Sequence, residues 1–355
     1  MSDPYGWANG LLAWYQQEKR DLPWRRTKDP YAIWISEIML QQTRVETVKE
    51  YYRRFIARFP DVAALAQAPE EDVLKLWEGL GYYSRARNLQ KAAKSVVEQY
   101  NGQIPSEYEM LKSLPGIGEY TAGAIASIAF GIAVPAIDGN VFRVAARFYG
   151  ERENIELPQV RKKLRALLTQ AVSQSEPDAF NQAMMELGAT LCVPRAPRCD
   201  LCPLKSSCDA YAEGDAESLP VHEKKQPAKV VQIAVGLLCY QDRIAMFRRR
   251  ERLLNGLYVF YLAEEETDPQ RIAEQLSQDD GLAVESWKAL GKATHVFTHR
   301  IWQMTLYRFS LDREPGEQWL TERDGVMVDE AALQSLPLPT AMKAAKAEAL
   351  KLLRV

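Results

Sequence analysis

The sequence predicts a multidomain α and α+β chain: an all-helical domain over residues 1–216, a linker over 217–229, and an α+β domain over 230–355. Three observations predict it. Apolar spacing up to about residue 193 follows a helical period. A polar stretch of mixed charge with Pro220 and Pro227 (AEGDAESLPVHEKKQPAK) then interrupts it. Beyond that stretch, short runs rich in Val, Ile, Tyr and Phe read as strands. A length of 355 residues suits two domains, each able to bury its own core.

Composition is that of an ordinary globular protein, with net charge −2. Residues 1–228 carry 28 Lys+Arg and 29 Asp+Glu, leaving 17 and 18 for the remainder. Both halves are near neutral, so any nucleic-acid footprint must be local. The N-terminus lacks a basic region followed by an apolar core, so no signal peptide is expected. The run from Ala124 to Ile137 is broken by Gly131 and Pro135 and is too short to span a bilayer. A soluble, cytoplasmic protein is the expectation, with no membrane partner.

Residues 7–20 fit an amphipathic helix. Pro23 and Pro30 punctuate a loop, and a helical pattern resumes at Tyr31. Glu37 lies among Ile33, Trp34, Ile38 and Leu40, where it either points to solvent or is desolvated with a raised pKa. Residues 61–100 suggest two helices around WEGLGYYSRARNLQKAA, in which Trp77, Tyr82 and Tyr83 interleave with Arg85, Arg87 and Lys91. Such a mixture serves either a base stack and its phosphates or a packed core beside a solvated face.

The central stretch, 112–131, reads as helix end, glycine turn and apolar helix. Gly116 and Gly118 bracket Ile117, a pattern that frees backbone N–H groups to meet an anion such as phosphate, or forms an ordinary turn. Asp138 ends the apolar run that follows, either as a reactive carboxylate or as a helix N-cap. Helices are expected over 158–173 and 177–193. Cys192, Cys199, Cys202 and Cys208 come next, separated by six, two and five residues. Four thiols this close suit a metal centre, either zinc or an iron–sulfur cluster. The fifth, Cys239, reads as a buried apolar residue. Of the three histidines none precedes His222, so the helical half is expected to do acid–base chemistry without imidazole.

LPGIG, the IDGNV aspartate and the cysteine spacing, in this order, resemble the helix-hairpin-helix DNA glycosylase superfamily with its 4Fe–4S cluster. Within it, WISEIMLQQTRVETV, WEGLGYYSRARNL and FNQAMMELGA resemble the MutY family of adenine DNA glycosylases. The C-terminal half is similar to that family's Nudix-like 8-oxoguanine recognition domain. The resemblance covers nearly the whole chain. It implies a monomeric, monofunctional base-excision-repair enzyme of the bacterial nucleoid, acting on adenine opposite 8-oxoguanine or guanine in duplex DNA. It implies Glu37 as the general acid and Asp138 as the stabiliser of an oxocarbenium-like sugar. Two carboxyl groups with different environments are what this bond cleavage needs.

The position at which bifunctional members carry a Schiff-base lysine is here Tyr120, which with Asn140 is expected beside the sugar. Arg20, Leu22, Trp24, Arg25, Val45 and Gln182 match positions of the adenine pocket. Gln42 and Tyr82 match residues that fill or wedge the vacated duplex, with Thr43 and Leu80 beside 8-oxoguanine. Cys192, Cys199, Cys202 and Cys208 are the implied cluster ligands. The recognition loop reads Phe297-Thr298-His299, with threonine where serine is usual; its extra methyl restricts χ1. The acidic box of Nudix hydrolases is missing, despite Glu264, Glu265 and Glu266, so this domain is expected to bind without hydrolysing nucleotides. Two other readings are a pyrimidine glycosylase/lyase of endonuclease III type, disfavoured by Tyr120 and the extra domain, and a non-catalytic DNA-binding module holding zinc.

Overall fold

The computed structural model describes residues 6–173, 176–223, 227–279 and 281–354. They form two compact units, one of residues 1–68 and 84–224, the other of 69–83 and 225–355. The helices preceding the linker are α1 (Gly6–Glu18), α2 (Pro30–Leu40), α3 (Val45–Arg58), α4 (Val62–Gln67), α5 (Glu70–Leu76), α6 (Ser84–Tyr100), α7 (Tyr108–Ser113), α8 (Glu119–Phe130), α9 (Gly139–Phe148), α10 (Pro158–Ser173), α11 (Pro177–Thr190) and α12 (Asp209–Ala212). All but α5 belong to the first unit.

Local chemistry explains where the central helices start and stop. The Asp29 carboxylate caps α2 by accepting from the N–H groups of Tyr31 and Ala32, and Pro30 supplies the fixed φ of a first helical residue. Every residue of α2 from Tyr31 to Met39 is buried, so the helix needs no polar face. At the hairpin, Gly116 has φ +77°, and a Cβ there would lie 2.6 Å from Asn88 Cβ. Any larger residue would be strained and crowded. Gly131 closes α8 in the left-handed conformation, and the Asp138 side chain caps α9 through the N–H of Val141. Side chains of α1, α9, α10 and α11, including Leu11, Val144, Leu168 and Leu187, share one buried core.

The sequence places residues 69–83 within 1–216, but they pack with the second unit. Lys75 Nζ donates to the carbonyls of Gln334 (2.6 Å) and Leu336 (3.1 Å), and the Tyr83 hydroxyl donates to that of Leu338 (3.1 Å). Three helices, not two, occupy 61–100, because Pro69 breaks the pattern between α4 and α5.

The second unit also holds β1 (Lys229–Tyr240), β2 (Arg243–Arg248), β3 (Tyr258–Val259), β4 (Tyr261–Glu264), α13 (Pro269–Asp279), β5 (Val284–Val296), β6 (Arg300–Leu311), α14 (Glu317–Glu322), β7 (Gly325–Val328), α15 (Glu330–Ser335) and α16 (Lys343–Leu353). The strands form one mixed sheet in the order β3-β2-β1-β6-β5, with β4 on β1 and β7 on β2. Among the described strands, only β1 and β6 pair in parallel, from Lys229↔Arg300 to Cys239↔Ser310. Alternation sorts β1 between two cores. Ile233, Val235 and Leu237 face α16, while Ala234 and Leu238 face Ile272 and Leu276 of α13. Cys239 is buried in the first of these, as its apolar reading anticipates. No helix among the described residues is long and apolar enough to cross a membrane.

Candidate active site

A cleft of about 820 Å³ opens in the first unit. Four elements bring the sequence-predicted reactive groups to it: Glu37 from α2, Tyr120 from α8, Asp138 and Asn140 at the start of α9, and Gln182 from α11. Arg20, Leu22, Trp24, Arg25, Gln42, Thr43 and Val45 line it as well.

Glu37 is only 5% exposed. Burial raises its pKa to about 7; the Tyr120 hydroxyl, donating to Oε2, and Arg25 pull the other way, while the Asp138 charge pushes it further up. The desolvated alternative for Glu37 is therefore the one realised, since the whole of α2 is inside the fold. Asp138 is also largely buried, which raises its pKa, but it accepts from Val141 N (2.7 Å) and Asn140 Nδ2 (2.8 Å). Its position at the start of α9 further favours its anionic form. Asp138 is thus both N-cap and cleft residue. Asn140 is held in turn by Arg143, whose Nη2 donates to Asn140 Oδ1 and to the Gly188 carbonyl, both at 2.8 Å.

Glu186 was not anticipated. It is 1% exposed, and its carboxylate accepts from Arg20 Nε (2.7 Å), Arg20 Nη2 (2.8 Å) and Arg25 Nη2 (2.8 Å). Burial alone would raise its pKa, but the two arginines outweigh that and hold it at about 2. This ion triad fixes the loop carrying Leu22 and Trp24. Its legible signal was the i, i+4 spacing of Gln182 and Glu186 on one helix face. His222 also lines the cleft, so an imidazole stands at the helical unit's site although no histidine precedes it in the chain. It does so because Val221 bridges Asn154.

At the end of α2, Arg85 Nη1 donates to the carbonyls of Ile38 (2.6 Å), Met39 (3.1 Å) and Gln41 (2.6 Å). A cation on unpaired C-terminal carbonyls is favourable. It holds the turn in which Gln42 adopts φ +60°. Gly116 and Gly118 do not line this cleft; Gly116 borders a separate cavity of about 90 Å³ with Asn88 and Arg85, and Gly118 precedes α8.

Leu80, Tyr82, Phe297, Thr298 and His299 lie in the second unit. Leu80 is buried, while Tyr82 is 51% exposed and its hydroxyl lies 3.1 Å from Thr298 Oγ1. Phe297 packs edge-on against Trp302, and the His299 carbonyl accepts from Lys229 N.

Cys192, Cys199, Cys202 and Cys208 line one small cavity with Arg147, which donates to Cys192 Sγ at 3.3 Å. No group of three or more His, Cys, Asp or Glu among the described residues could hold a single metal ion. Burial raises Cys202 to about 11 and also raises Cys199 and Cys208, so thiolates there require a positive partner. Four soft donors around one cavity, with an adjacent guanidinium, fit an iron–sulfur cluster chemically.

The HhH-GPD superfamily of base excision DNA repair proteins matches residues 35–170, and a NUDIX domain matches 234–348. The adenine DNA glycosylase of Rattus norvegicus is 35% identical over 390 residues, covering 90% of this chain and 75% of the rat protein. This chain belongs to the adenine DNA glycosylase family. The Homo sapiens adenine DNA glycosylase is 46% identical over 228 residues, 62% of this chain and 42% of the human protein. The chain thus spans less than half the length of that family member. Among solved structures, a thermostable thymine-DNA glycosylase superposes with a TM-score of 0.54 at 31% identity, covering 59% of this chain and 96% of that one. The superfamily match contains Glu37, Tyr120 and Asp138, and the NUDIX match contains Thr298.

Proposed function

We propose that this chain is a monofunctional adenine DNA glycosylase that hydrolyses the N-glycosidic bond of adenine mispaired with 8-oxoguanine or guanine in duplex DNA. The observation that carries the reading is the pairing of carboxyl groups in one cleft: Glu37, raised to about 7, beside the hydrogen-bonded Asp138. Adenine must leave the stack to enter a cleft of this kind. Glu37 then donates its proton to the base and makes it a neutral leaving group. The Asp138 carboxylate, oriented by Val141 N and Asn140, stabilises the positive charge developing on the sugar. Tyr120 stands where bifunctional relatives carry lysine, which supports cleavage without strand scission.

Tyr82 and Thr298, already hydrogen-bonded to one another, are assigned to the partner base, with Gln42, Thr43, Leu80, Phe297 and His299. The hairpin at Gly116 and Gly118 is assigned to backbone phosphate. The four cysteines are assigned to a 4Fe–4S cluster that shapes the loop 192–208. Iron and sulfide content of the purified protein tests that assignment; zinc alone would refute it. A monomer acting on DNA in the bacterial cytoplasm is the simplest setting.

The deciding experiment is an excision assay on duplexes pairing adenine with 8-oxoguanine, guanine, cytosine and thymine, with and without alkali. Release of adenine opposite 8-oxoguanine and guanine, with strand breaks only after alkali, is expected. The Glu37→Gln variant should bind duplex and release no adenine, because an amide cannot deliver the proton. Retained turnover in that variant would remove Glu37 from the acid role.

A further inference from the structure

Tyr15 is a buried tyrosine that the proposed chemistry does not use. It is 3% exposed and lies on the inward face of α1. Its hydroxyl donates to Gln182 Oε1 at 3.1 Å. Gln182 is its sole hydrogen-bond partner among the described residues, so the direction of the bond follows from proton accounting. Were the amide turned over, the hydroxyl would accept from Nε2 and its own proton would be left without an acceptor. Leaving a buried donor unpaired costs its full desolvation penalty. Burial raises the Tyr15 phenol to about 12, so it keeps this proton throughout the neutral range. The ring is itself held, with the Arg25 guanidinium 5.5 Å and Lys19 Nζ 5.4 Å from its centroid. The amide is therefore oriented from behind by a rigid aromatic donor.

Gln182 lines the cleft, and its Nε2 has no partner within the protein among the described residues. An amide whose oxygen is engaged by Tyr15 has only its N–H groups left to offer a ligand in the cleft. We propose that Tyr15 is a positioning residue that makes Gln182 a hydrogen-bond donor into the cleft, directed at an unprotonated ring nitrogen of the purine. The inference rests on the adenine reading above and specifies how that base is recognised. A pinned donor rewards a ring nitrogen bearing a lone pair and leaves itself unpaired against a C–H at the same place. Sites built to hydrogen-bond a substrate reject analogues lacking the bond far more strongly than apolar walls do.

The test measures single-turnover excision from duplexes carrying adenine, 1-deazaadenine, 3-deazaadenine or 7-deazaadenine opposite 8-oxoguanine. Wild type and Tyr15→Phe are compared, with Gln182→Leu and the double variant closing a cycle. One analogue should react at least roughly tenfold more slowly than adenine in the wild type, beyond any analogue that has lost the protonation site. In Tyr15→Phe the amide is free to turn, and that ratio should fall toward one. Adding Tyr15→Phe to Gln182→Leu should change it no further.

Tyr15→Phe keeps the ring and its packing, and ratios between bases are insensitive to a general loss of stability. Unaltered ratios in Tyr15→Phe, or equal losses on all four bases, would overturn the inference while leaving the glycosylase reading intact. A wild type that releases no adenine would overturn that reading, and this inference with it.

Discussion

Glu37 concentrates the site's physics in one residue. Its carboxyl carries a pKa of about 7 in the fold against an ordinary 4.5. Below pH 4.5 both folded and unfolded chains hold the proton, so burial of this group costs no ionisation. As pH rises toward 7 only the unfolded chain gives it up, and stability falls through that window. Above 7 the full penalty remains, of order 3 kcal/mol from the gap between 4.5 and about 7. Glu37→Gln removes this dependence. Urea unfolding should therefore find the variant gaining stability relative to wild type between pH 4.5 and about pH 7, with the difference level above that. A difference that does not change with pH would contradict the burial assigned to Glu37. The excision rate of the wild type should decline on the alkaline side of about pH 7, as the acid form is depleted.

At the scale of elements, the site depends on the close approach of α11 to α9. Gly188 makes it possible, since a Cβ there would lie 2.7 Å from Asn140 Cβ and 3.2 Å from the Asn140 carbonyl carbon. Its own carbonyl accepts from Arg143, which also holds Asn140. Gly188→Ala must push the first turn of α9 away and with it the Asn140 bond to Asp138. The expected cost is about 1–3 kcal/mol of stability, as for other overpacked sites. Adenine excision should drop by more than about tenfold, because Asp138 loses its orienting partner. Normal excision by a destabilised variant would show that Asn140 does not orient Asp138. α2 illustrates a second dependence: its end, and so the turn at Gln42, is held by an arginine from α6 rather than by a local glycine cap.

At the scale of the whole molecule, the two units do not follow the order of the chain. Residues 69–83 precede the hairpin in sequence yet are bound to carbonyls of 334–338 through Lys75 and Tyr83. Tyr82, on that segment, meets Thr298 in the same unit. A chain ending at residue 223 loses all four of these hydrogen bonds. Limited trypsin digestion should then cut at Lys75 in the shortened protein and spare it in the full chain. Equal protection in both would mean that the segment is held by other means.

Much of this was legible beforehand where the signal is local. The hairpin glycines, the Asp138 cap and the thiol spacing each reside in a short stretch of chain, and runs rich in Val, Ile, Tyr and Phe marked β1, β2, β3, β4 and β6. Strand β5 was not legible: VESWKALGKATHV lies at the sheet edge, is exposed at most positions, and so carries no apolar alternation. By itself the sequence determined which chemical groups are present and in what order. Only the tertiary structure decided that Glu37 is desolvated, that Glu186 is clamped by two arginines, that His222 reaches the cleft, and that 69–83 joins the second unit. The physical reason is common to all four. Desolvation and pairing depend on atoms brought together from distant parts of the chain, whereas a helical or strand period reports only which face of a segment is apolar.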